Sequence, residues 1–301
     1  MISKARQKSD EYLMFESLHV RNGLSEKDKQ YFSGLKKGYE GELLFDSWME
    51  EVTADCLVIN DLLLKQRNNI FQIDSLMLLA EKIFLFEVKN FEGDHYYDAG
   101  KLYLKSKEER NNPMLQLEKN ESLLRQLLHS WSYKLPIFAY VVFVNPAFTL
   151  YQAPLDKPII YPTQITGYLK QFNQLTSPIT TNENRLATLL TSAHIEKSPY
   201  SQLPDFGFNQ LKKGMYCADC HSFALDLSKY KCLCRKCGKS ESIQTSIMRS
   251  VREFQLLFPN EKITTNKIHE WCGVPIDKRR IYRVLDTNLI KKPHGNLTYY
   301  E

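Results

Sequence analysis

Three charged side chains stand inside the most apolar part of the sequence. Asp74 lies in a hydrophobic run over 70–79, and Glu87 and Lys89 lie at the end of a second run that begins at residue 83. Two carboxylates a few ångströms apart are suited to Mg²⁺ or Mn²⁺, and an ammonium beside them can activate a water or stabilise charge on a phosphate. The alternative for a Glu-x-Lys pattern is a partly buried ion pair.

The two runs predict a β-hairpin. Both are rich in Ile, Leu, Phe and Val, and Ala80-Glu81-Lys82 forms a short polar connection between them. Because strand side chains alternate in direction, Glu87 and Lys89 share one face of the second strand and Phe86 and Val88 point to the other. The hairpin therefore brings two carboxylates and a lysine together.

A helix is predicted before the hairpin. Apolar residues recur at helical spacing from Leu35 to Met49, and Glu42 projects from this stripe. A buried carboxylate needs a partner, which a metal or a lysine would supply. The alternative places Glu42 at the edge of the stripe, in contact with water.

A second helix is predicted after the hairpin. Asn112 is suited to cap it and Pro113 to occupy its first position. Gln116 and Asn120 then lie on one face, where they could hydrogen-bond a water, a metal ligand or a phosphate. Alternatively, they are polar residues of an ordinary packing helix.

Further strands complete an α/β pattern. Strands are predicted at 56–64, with a turn-like Asn60-Asp61, and at 137–144, a continuous apolar run typical of a central strand. Residues 91–106, broken by Gly93 and Gly100, indicate another hairpin. Helices are expected at 163–172 and 185–194.

These motifs resemble a known nuclease family. Asp74, a spacing of 12 residues and then Glu87-Val88-Lys89 resembles the PD-(D/E)xK signature, and Gln72-Ile73-Asp74 with Glu87-Val88-Lys89-Asn90 is similar to the nuclease-related (NERD) domain. Gly41-Glu42 resembles its Gly-Glu element, and Asn112-Pro113 with Gln116 its Asn-Pro-x-x-Gln element. The resemblance covers 36–150 and departs from the superfamily name at Ile73, where a proline would stand.

The resemblance implies a fold and a set of roles. The fold would be α/β, with a PD-(D/E)xK restriction-endonuclease-like core of a mixed sheet flanked by helices. Asp74 and Glu87 would hold Mg²⁺ or Mn²⁺ with the Val88 carbonyl, and Glu42 would be a further ligand, directly or through water. Lys89 would orient or activate the attacking water or stabilise the transition state, and Gln116 would position that water or a phosphate.

A zinc ribbon is predicted in the C-terminal part. Five of the seven cysteines lie between 217 and 237, and two Cys-x2-Cys pairs are separated by 13 residues. The predicted Zn²⁺ ligands are Cys217, Cys220, Cys234 and Cys237, with Cys232 and His221 as alternatives. Four protein ligands leave no open position, so the zinc would be structural.

The last 50 or so residues resemble a winged helix-turn-helix. Helices are predicted at 247–258, 266–272 and 277–288, followed by strands at 289–292 and 297–300 around a turn at 293–296. The third helix would enter the DNA major groove and the wing would contact flanking phosphates. Such domains also bind protein partners. The predicted nucleic-acid contacts are Lys278, Arg279, Arg280, Arg283, Lys291 and Lys292.

Charge is unevenly distributed along the chain. The net charge is +5, but residues from 206 onward carry 17 basic and 9 acidic side chains, against 23 and 26 before them. The basic end is the expected nucleic-acid contact. No apolar run is long enough for a membrane span, and the N-terminus lacks the apolar core of a signal peptide, so a cytoplasmic location without membrane contact is expected.

The expected domains follow in order along the chain. They are an N-terminal extension (1–30), a NERD-like nuclease domain (31–197), a linker (198–210), a zinc ribbon (211–243) and a winged-helix-like DNA-binding domain (244–301). The predicted function is a metal-dependent nuclease of DNA, with duplex favoured. The alternatives are a catalytically inactive DNA-binding or regulatory protein, and a nuclease of RNA. The oligomeric state is not specified.

Overall fold

The described residues fall into two compact units. The computed structural model describes residues 2–196, 203–273, 276–294 and 297–301. The first unit comprises Met1–Lys8 and Ser33–Tyr200, and the second comprises Ser9–Phe32 and Ser201–Glu301. The N-terminal 30 residues, expected to form one extension, are thus divided between the two units. Residues 198–202 of the expected linker lie outside the described residues.

The first unit contains both strands and helices, with a run of strands between its first two helices. Its strands are β1 (Ile2–Lys4), β2 (Leu57–Gln66), β3 (Asn69–Leu79), β4 (Lys82–Lys89), β5 (Gly93–Asp98), β6 (Lys101–Leu104), β7 (Glu109–Arg110), β8 (Ile137–Phe143), β9 (Phe148–Tyr151) and β10 (Ile159–Ile160). After α1 (Asp10–Val20), which belongs to the second unit, come α2 (Glu26–Met49), α3 (Pro113–Ser130), α4 (Ile165–Phe172) and α5 (Thr181–Ser192). The unit boundary falls within α2.

A six-stranded mixed sheet forms the centre of the first unit. Its order is β1-β2-β3-β4-β8-β10, with β2, β3 and β4 antiparallel and the pairs β1/β2, β4/β8 and β8/β10 parallel. One face packs on α3 and α5, and the other packs on α2 and α4. The expected α/β architecture of a mixed sheet flanked by helices is therefore confirmed.

The predicted hairpin is formed by β3 and β4. These strands pair from Ser75↔Phe86 to Leu79↔Lys82. Ala80 and Glu81 connect them with φ angles of 51° and 57°. A two-residue turn with both residues left-handed matches the right-handed twist of paired strands.

The regular alternation of side chains is interrupted in this hairpin. Ile73 and Leu76 both lie in the core under α3 and α5, although residues three apart face opposite ways in a regular strand. On the neighbouring β2, Ile59 and Leu62 do the same. The interruption in β3 falls at Asp74, so the direction of this carboxylate does not follow from counting along the strand.

A second sheet follows the β3–β4 hairpin in sequence. Its order is β7-β6-β5-β9, with β5/β6 and β6/β7 antiparallel and β5/β9 parallel. The hairpin predicted over 91–106 is thereby confirmed. One face of this sheet carries buried side chains, including His95 on β5 and Leu102 on β6.

The second unit combines short strands with helices. It contains α1, a 3-10 turn at Phe208–Gln210, β11 (Leu225–Leu227), β12 (Lys231–Cys234), β13 (Ser240–Ser242), α6 (Ile243–Leu257), α7 (Thr265–Cys272), α8 (Lys278–Asn288), β14 (Lys291–His294) and β15 (Leu297–Tyr300). Strands β11 to β13 form one sheet, and β14 and β15 pair as a hairpin. β14 continues through His294, into the segment 293–296 that is predicted as a turn; residues 295 and 296 of that turn lie outside the described residues.

Arg21, which follows α1, is a central residue of the second unit. Its fully buried guanidinium pairs with Glu253 of α6 at 2.5 Å, lies 3.8 Å from the ring centre of Trp271 and donates to the Lys212 carbonyl. These contacts explain why α1 belongs with the C-terminal elements.

Among the described residues, no helix combines the length and apolarity required to cross a bilayer.

Candidate active site

Asp74 is fixed by the neighbouring strand of the hairpin. The backbone N–H of Val88 donates to Asp74 Oδ2 at 2.8 Å, and the carboxylate is almost fully buried. A hydrogen bond from a backbone amide needs no mobile side chain, so it holds the carboxylate in a defined position. β3 and β4 therefore place Asp74 beside the Glu87–Lys89 segment, as the sequence predicts.

Glu87 and Lys89 form an ion pair at the end of β4. Lys89 Nζ lies 2.5 Å from Glu87 Oε1, with Glu87 inaccessible to solvent and the Lys89 side chain 20% exposed. The ammonium is thus the accessible part of the pair. A ligand arriving from solvent would meet Lys89 at the surface and Glu87 beneath it.

The amide that contacts this pair comes from Asn120, not from Gln116. Asn120 Nδ2 donates to Glu87 Oε2 at 3.3 Å and to the Gln72 carbonyl at 2.8 Å, whereas Gln116 is exposed one turn earlier on α3. The sequence placed both residues on one helical face. The apolar stripe of α3 is the sequence signal that distinguishes Asn120 from Gln116. Asn120 is three residues from both Leu117 and Leu123 and is buried with them.

Gly41 allows α2 to approach the end of β4. A Cβ atom at Gly41 would lie 2.5 Å from the Cβ of Asn90. Asn90 in turn donates to the Lys37 carbonyl at 2.7 Å and accepts from Asn145 at 3.0 Å. The glycine before Glu42 therefore permits the close packing that brings the helix to the end of β4.

Glu42 is joined to the site through an arginine that the sequence analysis missed. Arg6 Nη1 contacts Glu42 at 2.7 Å, its Nε contacts Asp46 at 2.9 Å, and its Nη2 donates to the Asp74 carbonyl at 2.8 Å. The Arg6 side chain is only 1% exposed. Its partners are 36 to 68 residues away, so no local pattern signals this role.

Burial and mutual repulsion raise the carboxyl pKa values of the cluster. Burial, followed by the charge of Asp74, raises the pKa of Glu42 to about 8 and that of Glu87 to about 7. Burial also raises the pKa of Asp74, against the opposing effect of Lys89. For Lys89, burial acts against the charged form, but Asp74 and Glu87 outweigh it and raise the pKa. Ionisation of these acids is therefore unfavourable in the metal-free protein, and a bound cation would favour it.

The donor chemistry fits a hard divalent cation. Asp74, Glu87 and Glu42 supply carboxylate oxygens, which Mg²⁺ and Mn²⁺ prefer. The charge of Lys89 acts on all three acids, and that of Arg6 acts on Glu42 and Asp74. Among the described residues, however, only a group of cysteines brings three or more acidic, histidine or thiol ligand atoms within 4.8 Å of one another. Glu42 engages Arg6 instead.

Comparison with known families identifies a domain in this part of the chain. Residues 37–144 match the sequence profile of the family described as NERD: Nuclease-related domain. The chain contains a nuclease-related domain. The match spans α2 from Lys37, the hairpin, α3 and β8, and so includes all five predicted catalytic residues. No curated protein and no solved structure matches the chain.

The cysteine cluster lies outside the nuclease-related domain, in the second unit. The sulfurs of Cys217 and Cys237 are 3.5 Å apart, as are those of Cys220 and Cys234, and all four lie within 4.8 Å of one another. Tetrahedral zinc with Zn–S bonds of about 2.3 Å separates its sulfurs by about 3.8 Å. The cluster is therefore compatible with structural Zn²⁺.

The structure distinguishes the cysteine cluster from the alternative ligands. Of the described residues, the cluster contains neither Cys232 nor His221. Cys232 is buried on β12, where its thiol has a hydrogen bond with Ser246. Burial raises the pKa of this thiol, against the smaller lowering effect of the hydrogen bond. The four cysteines of the two Cys-x2-Cys pairs are thus the group that can surround one metal ion.

The predicted nucleic-acid contacts occupy different environments on α8 and β14. Lys278, Arg279 and Arg283 are exposed. Arg280, in contrast, donates to the carbonyls of Ser228 and Lys229 beside the cysteine cluster. Lys291 and Lys292 form long surface ion pairs, at 3.8 Å with Asp286 and 3.7 Å with Glu301. Their contact with nucleic acid stays a prediction.

Proposed function

We propose that the protein is a metal-dependent nuclease that hydrolyses phosphodiester bonds in DNA, with a PD-(D/E)xK type of active site. The observation that carries the proposal is the buried cluster of Asp74, Glu87 and Lys89 within a nuclease-related domain. An ordinary structural ion pair needs one carboxylate for its lysine. Here a second carboxylate is held beside the pair by a backbone amide, at the expense of repulsion between the acids.

Each residue of the cluster has a proposed role. Asp74 and Glu87 would hold Mg²⁺ or Mn²⁺, with Glu42 as a further ligand, directly or through water. A bound divalent ion lowers the pKa of a water molecule and offsets negative charge on the phosphate. Lys89, at the accessible edge, orients the attacking water or stabilises the charge that develops on the phosphate. Asn120 fixes the orientation of Glu87 through its amide.

The second unit would tether the substrate. We interpret α6 to α8 with the β14–β15 hairpin as a winged helix and the four-cysteine module as a zinc ribbon. The exposed Lys278, Arg279 and Arg283 on α8 support contact with phosphates. Arg280 has a structural role instead, because its guanidinium already binds backbone carbonyls.

The test is cleavage of labelled duplex DNA, single-stranded DNA and RNA by the purified protein. Each substrate is incubated with Mg²⁺, with Mn²⁺ and with EDTA, and Asp74→Asn is assayed beside the wild type. We expect metal-dependent cutting of DNA that Asp74→Asn abolishes. Asp28→Asn provides a matched control, since Asp28 is an exposed carboxylate that accepts a hydrogen bond from Ser25, three residues before it.

The outcomes separate the proposed function from its alternatives. Cleavage of RNA alone would replace the DNA substrate and keep the chemistry. Intact nucleic acid under every condition, with duplex binding retained by wild type and Asp74→Asn alike, would contradict the nuclease and support a DNA-binding protein that uses this domain as a scaffold.

A further inference from the structure

Three tyrosines lie side by side on the second sheet of the first unit. Tyr103 on β6 pairs with Tyr96 on β5, and Tyr96 pairs with Tyr151 on β9. Directly paired residues of neighbouring strands point to the same face of a sheet. The three rings therefore form a row across three adjacent strands, which we call the tyrosine row.

The row lies on the face of the sheet opposite its core. The buried residues His95, Leu102 and Phe148 occupy alternate positions on the same three strands, so their side chains point to the other face. Tyr151 is 50% exposed, and Tyr96 and Tyr103 are half-buried against each other, with ring centres 5.1 Å apart. The rings are thus accessible and are not needed to fill the core.

This face carries aromatic rings on which bases can stack, and the two lysines beside them are each paired with a carboxylate, Glu109 opposite Tyr103 and Asp94. Every nucleic-acid base offers a flat π-face that stacks on aromatic rings, independently of sequence. Lys101 and Lys105 flank Tyr103, and Lys105 is 75% exposed in its ion pair with Asp94. A pair this exposed contributes little to stability, so the lysine can exchange its carboxylate for a phosphate at little cost.

The second sheet directly follows the candidate active site along the chain. Only three residues separate Lys89, at the end of β4, from Gly93, at the start of β5. On its other side, Asn112 Nδ2 donates to the Gly100 carbonyl in the β5–β6 turn, while its side chain caps α3, the helix that carries Asn120. The tyrosine row therefore belongs to a sheet that begins three residues after the lysine of the cluster and is hydrogen-bonded to the start of α3.

We propose that the tyrosine row binds unpaired bases of a nucleic-acid strand and guides that strand to the Asp74–Glu87–Lys89 cluster. Duplex DNA hides its base faces in the helical stack, so the row selects single-stranded segments, whether DNA or RNA. The guiding of the strand to the cluster rests on the proposed nuclease function. The binding of unpaired bases to the tyrosine row does not require cleavage.

The experiment measures binding of fluorescent oligothymidylate, oligouridylate and duplex DNA to the full chain in EDTA. The triple variant Tyr96→Leu/Tyr103→Leu/Tyr151→Leu keeps apolar side chains and removes the rings, and the matched Phe triple variant keeps the rings. We expect the Leu variant to bind single strands at least about tenfold more weakly and the Phe variant to stay within about twofold of wild type. Tyr31→Leu, a 42% exposed tyrosine of the second unit, is expected to bind as wild type.

Photo-crosslinking of 5-iodouracil strands to the wild-type protein removes any dependence on the folding of the variants. Crosslinks at Tyr96, Tyr103 or Tyr151 would support the proposal. Crosslinks found only at other residues would overturn it, and so would a folded Leu variant that binds single strands with wild-type affinity. Wild-type protein that binds no single strand would also overturn it and would leave the row as a protein-contact surface.

The two proposals fail separately. If the tyrosine row is wrong, metal-dependent cleavage of duplex DNA and its loss in Asp74→Asn still stand. If the nuclease is wrong, the ring-dependent affinity for single strands in EDTA still stands.

Discussion

Gly41 of α2 packs directly against Asn90 at the end of β4, so closely that a Cβ atom at Gly41 would lie 2.5 Å from that of Asn90. This contact sets the distance between the helix that carries Glu42 and the strand that carries Glu87 and Lys89. This contact explains why a glycine occupies this position of the Gly-Glu element, because any larger residue would push the helix away from the site.

Gly41→Ala is expected to destabilise the protein although alanine favours helices. The new methyl group would have to displace Asn90, and overpacking of this kind costs about 1–3 kcal/mol. Gly38→Ala, one turn earlier on the same helix, has nothing within 4 Å of the new Cβ and should stabilise by up to about 1 kcal/mol. Urea unfolding of both variants measures the contrast, and equal effects would show that the contact with Asn90 is unimportant.

Arg6→Met is expected to reduce the free energy of unfolding by about 3 kcal/mol, because it leaves Glu42 and Asp46 without their buried cation. Arg125→Met removes an exposed ion pair with Glu121 and should change stability by less than about 1 kcal/mol. Denaturant unfolding of the metal-free proteins measures both. A loss for Arg6→Met as small as that for Arg125→Met would contradict the central position of Arg6.

Local patterns predicted the elements but not the residues that connect them. The hairpin of β3 and β4 follows from two apolar runs and a short polar turn, and the start of α3 follows from Asn112-Pro113, whose cap is observed. Arg6 was not foreseen because it joins segments up to 68 residues apart. Contacts at such separation depend on the packing of α2 and β1 on the sheet, which no short stretch of sequence encodes.

The sequence predicts the residue types of the site, whereas the geometry of the site depends on the fold. The pairing of Glu87 with Lys89 follows from strand alternation, but Asp74 lies where that alternation breaks. Gln116 was expected at the site because of its place in a motif, yet the buried amide is that of Asn120. Burial of Asn120 could have been predicted from its position within the leucine stripe of α3.

The stability of the metal-free protein should fall as pH rises from about 5 to about 8. The folded-state pKa of Glu42 is raised from 4.5 to about 8 and that of Glu87 to about 7, so the folded state retains protons that the unfolded state releases. Stabilisation by these protons is complete below the unfolded pKa and is lost as pH passes through the folded pKa. Urea unfolding across this pH range measures the slope.

Glu42→Gln should make this pH slope shallower, since one of the two proton-retaining groups is removed. Glu40→Gln, a 58% exposed residue on the same helix, should leave the slope unchanged. An unchanged slope in Glu42→Gln would contradict the raised pKa of this carboxyl group. Added Mn²⁺ should also flatten the slope, because the cation binds the deprotonated carboxylates.

Zinc removal should unfold part of the second unit. The four thiolates would repel one another without the metal, and the short sheet β11–β13 has few buried side chains to hold it. Cys220→Ser is expected to lose bound zinc and lower the melting temperature, whereas Cys232→Ser should keep about one zinc per chain. Metal analysis of the purified variants measures this. Zinc lost from Cys232→Ser and kept in Cys220→Ser would show that the ligand set is wrong.

The most direct test of the proposed active site compares two lysines of the same strand. Lys89→Met removes the ammonium beside Glu87 and keeps most of the side-chain volume, and Lys82→Met makes the same change at the other end of β4. With Mg²⁺ and labelled DNA, we expect Lys89→Met to reduce the single-turnover cleavage rate at least about a hundredfold and Lys82→Met to stay near wild type. Cleavage by Lys89→Met at the wild-type rate would contradict the proposal that this cluster performs the chemistry.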